Sequence, residues 1–144
     1  MFQVASKYPL EIVQPMKEEL TSVGVKELLT TEEVDQAIQG NEGTTFVMIN
    51  SVCGCAAGNA RPAIRLALAH DTLPDQMTTV FAGVDQEAVA RVREHIPGYP
   101  ASSPSMALFK NGNLVYMMPR HRIEGRFPQE IAGDLVQAFN EYCK

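Results

Sequence analysis

Residues 44–57 read Thr-Thr-Phe-Val-Met-Ile-Asn-Ser-Val-Cys-Gly-Cys-Ala-Ala, and this stretch decides the fold. Its first half, Thr44 to Asn50, is almost continuously apolar, which predicts a strand covered on both faces in the middle of a mainly parallel sheet. Its second half runs through Cys53-Gly54-Cys55 into an alanine- and leucine-rich segment, Ala56 to His70. That segment predicts a helix in which Pro62 introduces a kink. The sequence therefore predicts a strand-to-helix turn that carries two cysteines.

Two helices and a short strand are predicted before this stretch. Apolar residues at helical spacing predict a first helix from Leu10 to Val23, and Val25 to Leu29 is predicted to form a short strand. Thr30 and Glu33 have the spacing of a capping box, in which the threonine hydroxyl accepts a hydrogen bond from the glutamate N–H. A second, short helix is therefore predicted to begin here and to end near Gly40.

The strand-helix alternation continues beyond the cysteines and then changes to a hairpin. Thr78 to Val84 is predicted to be a second buried strand, with Asp85 capping the helix that follows it. Ser105 to Phe109 and Leu114 to Met118 are predicted to pair through a hairpin turn at Asn111-Gly112, a dipeptide that readily adopts the required left-handed conformations.

A last helix is predicted from Pro128 to Tyr142, which completes the order α-β-α-β-α-β-α-β-β-α. Alternation followed by a hairpin predicts an α/β fold with a mixed sheet covered by helices on both faces. We expect one domain over residues 1–144. Ligands of such sheets bind beyond the C-terminal ends of the parallel strands, where Cys53 is predicted to lie.

The composition argues against several classes of protein. A net charge of -5 with interspersed signs is unlike a basic nucleic-acid-binding surface, so no nucleic-acid partner is predicted. No run approaches the ~18 apolar residues of a membrane-spanning helix, so no membrane association is predicted. Met1 to Glu11 lacks the apolar run of a secretory signal. We therefore expect a cytoplasmic protein, in a compartment where thiols are kept reduced.

The pair Cys53 and Cys55 is the candidate for redox chemistry. Cys53 is the candidate nucleophile, because the N–H groups and dipole of the following helix stabilise a thiolate. Cys55 is placed to resolve a mixed disulfide, and Gly54 permits the tight conformation of a Cys-Gly-Cys ring. Because this ring is smaller than that of a Cys-X-X-Cys site, we expect a strained disulfide that is easily reduced.

Two other interpretations of the cysteine pair stay open from the residues alone. A metal site needs further soft ligands, for which His70 and Cys143 are available, although no second close Cys/His group exists. The pair can also be two inert core thiols. Cys143, on the last helix, is interpreted as a half-buried or frayed thiol without a catalytic role.

Residues 103–112, Ser-Pro-Ser-Met-Ala-Leu-Phe-Lys-Asn-Gly, resemble the proline-strand-hairpin segment of thioredoxins. This resemblance implies that the Ser103-Pro104 bond is cis, faces the cysteines and exposes backbone groups of Ser103 to a substrate chain. The alternative is an ordinary trans proline that opens an edge strand. Unlike thioredoxins, the chain has Val52 in place of a tryptophan and Val47 in place of a buried carboxylate. The missing carboxylate argues against efficient proton removal from a resolving thiol, and with it against a general reductase role.

Three segments resemble the bacilliredoxins, thioredoxin-like proteins with a Cys-Gly-Cys motif. They are residues 50–58 (Asn-Ser-Val-Cys-Gly-Cys-Ala-Ala-Gly), 102–108 (Ser-Ser-Pro-Ser-Met-Ala-Leu) and 119–125, which contains Pro-Arg-His and Ile-Glu-Gly. The resemblance covers nearly the whole chain. It implies a thioredoxin-like three-layer α/β/α fold with a central mixed sheet and an additional N-terminal helix.

The same resemblance implies a reaction and its partners. Bacilliredoxins remove bacillithiol, the low-molecular-weight thiol of some bacteria that lack glutathione, from S-bacillithiolated client proteins. Here Cys53 would accept bacillithiol, and a separate disulfide reductase would close the cycle. Bacillithiol is then a co-substrate, and no bound metal, flavin or nucleotide is required. The alternatives are a protein disulfide isomerase with weak reductase activity and a non-catalytic redox-sensing or metal-binding CxC module.

Basic residues outside the motif supply a further hypothesis. If Pro104 begins its strand beside the cysteines, the loop that carries Arg120, His121 and Arg122 returns to the same end after the hairpin. Because bacillithiol bears carboxylates, these cations are candidates to bind it. The alternative is a solvated basic loop before a helix. Arg61 and Arg65, four residues apart, have the spacing of one helix face near the site, but the ordinary interpretation of both is surface charge.

Overall fold

The computed structural model describes residues 5–40 and 42–144, and its elements follow the predicted order. The helices are α1 (Leu10–Thr21), α2 (Thr31–Ile38), α3 (Arg61–Ala67), α4 (Gln86–Glu94) and α5 (Pro128–Tyr142). The strands are β1 (Lys26–Glu27), β2 (Thr44–Asn50), β3 (Gln76–Phe81), β4 (Ser105–Lys110) and β5 (Asn113–Met118). The segment examined for a secretory signal includes Met1 to Val4, which lie outside the described residues.

The five strands form one mixed sheet in the order β1-β3-β2-β4-β5. Strands β1, β3 and β2 are parallel, whereas β4 is antiparallel to β2 and β5 is antiparallel to β4. The predicted α/β class and mixed sheet are confirmed. The hairpin turn between β4 and β5 has left-handed backbone at Asn111 (φ 51°) and Gly112 (φ 82°), as the dipeptide predicted.

The central strand β2 is buried along its whole length because helices cover both faces of the sheet. Phe46 and Met48 pack in one apolar cluster with residues of α1, α3 and α5. Val47 and Ile49 pack in the other with residues of α2 and α4. Alternate residues of β2 thus pack against helices on opposite faces of the sheet, which explains why the sequence of the strand is continuously apolar.

Two predicted helix caps have different outcomes. Thr30 Oγ1 accepts a hydrogen bond from the N–H of Glu33 (3.1 Å), as predicted, and the Glu33 carboxylate accepts one from the N–H of Leu29 (3.1 Å). The prediction that Asp85 caps α4 is wrong, since its side chain makes no cap hydrogen bond. The carboxylate is instead paired with the buried ammonium of Lys17, whose Nζ lies 3.2 Å from Oδ1.

The helix after the cysteines is divided into two parts. Ala56–Ala60 form a π-helical turn, and α3 continues from Arg61 to Ala67. Pro62 stands at the beginning of α3, where a missing N–H costs least, so it does not act as the predicted internal kink. Among the described residues, no helix is both long enough and apolar enough to cross a bilayer.

Candidate active site

The turn that carries the cysteines is held by hydrogen bonds between close neighbours. The N–H of Ser51 donates to Asn50 Oδ1 (2.9 Å), and the N–H of Cys53 donates to Ser51 Oγ (3.2 Å). The carbonyl of Cys53 accepts from the N–H of Ala56 (2.9 Å). The chain therefore leaves the end of β2 in a fixed conformation and enters the helical segment directly at the CxC motif.

A buried arginine fastens this turn to the helix behind it. Arg61 is 1% exposed, and its Nη1 donates to Asn50 Oδ1 (2.9 Å) and to the carbonyl of Ser51 (3.0 Å). Its Nε donates to the Glu19 carboxylate of α1 (3.0 Å). The interpretation of Arg61 as surface charge is therefore wrong, whereas Arg65 is exposed. Positions 61 and 65 have almost the same helical phase, so periodicity cannot separate them.

The two sulfur atoms face each other. Cys53 Sγ and Cys55 Sγ lie 2.8 Å apart, and both thiols are free and half-buried. The pair is therefore close enough to exchange a proton or to form a disulfide with a small movement.

The surroundings lower the pKa of the Cys53 thiol below its ordinary value. The largest cause is the hydrogen bond from the Cys55 thiol, and burial opposes it by favouring the neutral form. The N–H groups of Cys55 and Ala56 and the positive charge of Arg120 lower the pKa further. Cys53 is thus the thiol that ionises first, which agrees with its predicted role as nucleophile.

The same geometry acts on Cys55 in the opposite direction. Burial, the hydrogen bond to Cys53 and the negative charge of the Cys53 thiolate together raise the pKa of Cys55 to about 11. Arg120 lowers this pKa and Glu124 raises it. Cys53 is therefore the first of the pair to become a thiolate, and that thiolate accepts a hydrogen bond from the Cys55 thiol.

The proline loop lies beside this pair. The Ser103-Pro104 peptide bond is cis, which is the isomer that the resemblance implied. Ser105, the next residue, is paired with Ile49 in the register between β4 and β2. Pro104 is consequently placed next to the end of β2 from which the chain continues to Cys53.

Arg120 connects the proline loop to the two cysteines. Its Nη1 donates to the carbonyl of Ser103 (3.3 Å), and its backbone N–H donates to Ser102 Oγ (3.3 Å). The same guanidinium forms an ion pair with Glu124 (2.6 Å). Its charge lowers the pKa of both thiols, so the predicted return of this loop to the cysteines is correct for Arg120.

The neighbours of Arg120 are placed differently. Arg122 donates to the carbonyl of Met117 (3.5 Å), lies over the ring of Tyr116 (5.8 Å to its centroid) and pairs with Asp134 of α5 (3.7 Å). These contacts direct Arg122 toward α5 rather than toward the cysteines. His121 is exposed. Of the three basic residues predicted to bind a thiol cofactor, only Arg120 has a described interaction with the CxC pair.

Comparison with known proteins identifies the family. The family model described as disulphide isomerase matches residues 8–143. A bacilliredoxin of Halalkalibacterium halodurans is 55% identical over 137 residues, which is 95% of each chain. Another, from Shouchella clausii, is 51% identical over 144 residues, covering 100% of this chain and 99% of the relative. The chain belongs to the bacilliredoxin family.

Solved structures place this bacilliredoxin-family chain in the thioredoxin fold. The oxidised thioredoxin of Plasmodium falciparum superposes with a TM-score of 0.54 at 20% identity, over 84% of this chain and 100% of that one. Mitochondrial thioredoxin 3 of Saccharomyces cerevisiae gives 0.54 at 16% identity, over 85% and 98%. Family and fold together make the protein a thiol-disulfide oxidoreductase.

The motif glycine has no conformational role in the structure with free thiols. Gly54 is not among the described residues with a left-handed backbone, and a Cβ added there would meet no atom within 4 Å. The argument that a Cys-Gly-Cys ring needs glycine concerns the disulfide form, and it stays a prediction.

The residues proposed to complete a metal site are not brought to the cysteines. His70 Nε2 lies 2.8 Å from Asn140 Oδ1, and Cys143 interacts with Thr44, at the opposite end of β2 from Asn50. Over residues 5–40 and 42–144, no group of three or more His, Cys, Asp or Glu side chains is placed to hold a metal ion.

Proposed function

We propose that the protein removes bacillithiol from S-bacillithiolated proteins by thiolate exchange at Cys53, in a reducing compartment such as the cytoplasm. The observation that carries the proposal is the split pair of pKa values, lowered at Cys53 and raised at Cys55. A thiolate is the reactive form in disulfide exchange, and the neighbouring Cys55 stays protonated until the resolving step. The bacilliredoxin names of the relatives support bacillithiol as the substrate class.

The first step transfers bacillithiol to the enzyme without net oxidation. The Cys53 thiolate attacks the bacillithiol sulfur of the mixed disulfide, and a new S–S bond forms as the bond to the client breaks. The client cysteine leaves as a thiolate and takes a proton from solvent. Arg120, which lowers the pKa of both enzyme thiols, stabilises negative charge where it develops.

The second step is prepared by the first. Once Cys53 is in a mixed disulfide, its sulfur carries no negative charge. It then no longer acts as a thiolate that accepts a hydrogen bond from the Cys55 thiol. Two of the four causes that raise the pKa of Cys55 therefore disappear, while burial, Glu124 and the opposing effect of Arg120 remain. Cys55 then ionises more readily, attacks the Cys53 sulfur and expels bacillithiol as a thiolate.

The product of this route is a Cys53-Cys55 disulfide, which a separate disulfide reductase returns to two thiols with two electrons. Free bacillithiol offers a second route, because its thiolate can attack the bacillithiol sulfur of the mixed disulfide, which forms bacillithiol disulfide and releases Cys53 as a thiolate. Neither route requires a metal, flavin or nucleotide on this chain.

The test uses a client protein with one cysteine held in a mixed disulfide with bacillithiol, followed by intact mass. The wild-type protein should release the client thiol. Cys53→Ser should be inactive, and Cys55→Ser should complete the first transfer and accumulate with bacillithiol attached to Cys53. Removal of bacillithiol by Cys53→Ser, or its retention on the client in the presence of wild-type protein, would contradict the proposal.

Disulfide isomerisation is the second candidate, because the matching family model carries that description. The same Cys53 thiolate would attack a protein disulfide and later be displaced by another client thiol, with no net electron transfer. Recovery of activity by a scrambled disulfide protein, compared between wild type and Cys53→Ser, measures this activity separately.

A further inference from the structure

A small pocket lies on the α4 side of the sheet, next to the proline loop. Its volume is about 110 Å³, enough for several water-sized groups. Ile49, Ile96 and Met117 belong to the apolar cluster beneath α4 and contribute apolar walls. The remaining lining residues are Arg93, Tyr99, Pro100, Ala101, Ser102 and Ser105.

Among the described residues, Arg93 is the only charged residue that lines this pocket, and no described carboxylate forms an ion pair with it. Arg93 is half-buried, and its Nε is buried without a hydrogen-bond partner in the part of the chain that the structure describes. Burial lowers the pKa of this guanidinium, and no described carboxylate opposes that effect. An unpaired, partly desolvated cation is unfavourable unless a ligand supplies the missing negative charge.

A second arginine on the same helix, Arg91, forms the ion pairs that Arg93 lacks among the described residues. Arg91, two residues earlier, donates to both oxygens of Asp35 (2.7 and 3.0 Å) and also to Glu94. Both arginines lie in the last turn of α4, where a cation interacts favourably with the helix dipole. That interaction does not explain why the Arg93 Nε is buried without a described hydrogen-bond partner.

The pocket shares its wall with the active site. Ser102 lines it, and the Ser102 hydroxyl accepts the hydrogen bond from the N–H of Arg120. Ser102 and Ser105 flank the cis Ser103-Pro104 bond, and the Ser103 carbonyl accepts from the Arg120 guanidinium that acts on both thiols. The pocket and the two thiols are therefore connected through residues 102–105 and Arg120.

We infer that this pocket is a carboxylate subsite, in which Arg93 and Ser102 bind a carboxylate of the bacillithiol that Cys53 accepts. The inference rests on the proposed function. A guanidinium presents paired N–H donors that match the two oxygens of a carboxylate, and the Ser102 hydroxyl donates to no acceptor among the described residues. The apolar walls strengthen these hydrogen bonds by excluding water.

The test compares two adducts of one single-cysteine client protein, one with bacillithiol and one with 2-mercaptoethanol, which has no charge. In Arg93→Met, kcat/KM for the bacillithiol adduct should fall about tenfold or more, because a charge-assisted hydrogen bond is lost. The mercaptoethanol adduct should react at the wild-type rate. Arg93→Lys should recover part of the activity, and Arg65→Met, which removes an exposed arginine on α3, should match wild type on both adducts.

Each outcome has a separate meaning. Wild-type rates on both adducts in Arg93→Met would overturn the subsite while leaving the proposed function intact. An equal loss on both adducts would also overturn it, since the pocket would then bind the client or support the fold. Failure of the wild-type protein on the bacillithiol adduct, with turnover of the mercaptoethanol adduct, would overturn the proposed function itself. Thermal unfolding should show Arg93→Met to be at least as stable as wild type, because it removes an unpaired, partly buried charge.

Discussion

Each end of strand β2 lies near a cysteine, and the surroundings of the two thiols shift their pKa values in opposite directions. Cys53 follows the C-terminal end, where Cys55, backbone N–H groups and Arg120 lower its pKa. Cys143 lies near Thr44 at the N-terminal end, about 20 Å away along the strand, and burial raises its pKa. The reactivity of a cysteine is therefore set by which donors and charges the fold places around it.

The C-terminal end is also where the fold buries a charge to position the chain. Arg61→Ala should reduce the free energy of unfolding by about 3 kcal/mol, because it removes the buried guanidinium whose Nη1 donates to Asn50 Oδ1 and to the Ser51 carbonyl. Urea unfolding measures the change. Arg65→Ala, one turn later on the same helix and exposed, is the matched control and should change stability by no more than about 0.5 kcal/mol. Equal effects of the two variants would refute the anchoring role of Arg61.

Removing the hydrogen-bond donor to Cys53 should bring the pKa of Cys53 closer to that of Cys143, at the other end of β2. In Cys55→Ala, the pKa of Cys53 should rise, because the hydrogen bond from the Cys55 thiol is the largest cause of its depression. The thiolate would then form at higher pH, so alkylation of Cys53 at neutral pH should slow. The pH profile of alkylation, followed by mass, gives the shift. An unchanged profile would mean that Cys55 does not stabilise the Cys53 thiolate.

Loss of Arg120 should also raise the pKa of Cys53, but by less than loss of the Cys55 thiol does. Its charge ranks below the Cys55 hydrogen bond among the causes that lower the pKa of Cys53, so Arg120→Met should shift the profile upward by less than Cys55→Ala. Arg122→Met removes the same charge from the same loop, but Arg122 contacts Met117 and Asp134 instead. Equal shifts from the two arginine variants would show a general effect of net charge.

The smallest effect is expected at the other end of the strand. Cys143→Ser should leave the rate of bacillithiol removal at the wild-type value, because Cys143 lies beside Thr44, away from the proline loop and Arg120. A clear loss of activity would require a path from Cys143 to the site that the described structure does not contain.

Local patterns were sufficient to predict most of the fold. The bounds of β2 and α5 agree with their predicted ranges, because a doubly buried strand and an amphipathic helix both have strong periodic signals. The Thr30 cap could also be predicted, because it depends on two residues only three apart in the sequence. Asp85 did not cap its helix, because a lysine 68 residues earlier in the chain pairs with its carboxylate.

The candidate site could be predicted only in part. The CxC pair and Pro104 stand in recognisable motifs, so the sequence indicated them. Arg61 and Arg93 gave no local signal, since burial of a charged side chain depends on elements that meet only in the folded chain. The difference between Arg120 and Arg122 depends on the path of one loop, and their sequence spacing does not reveal it.

The central claim is that Cys53 is ionised and accessible at neutral pH, and the direct measurement is alkylation of the reduced protein by iodoacetamide, resolved by cysteine with mass spectrometry. Because its pKa is lowered, Cys53 should react first, with a midpoint pH below that of an ordinary free thiol. Cys143 should react more slowly and at higher pH. Alkylation of Cys53 no faster than that of Cys143 across the pH range would contradict the account.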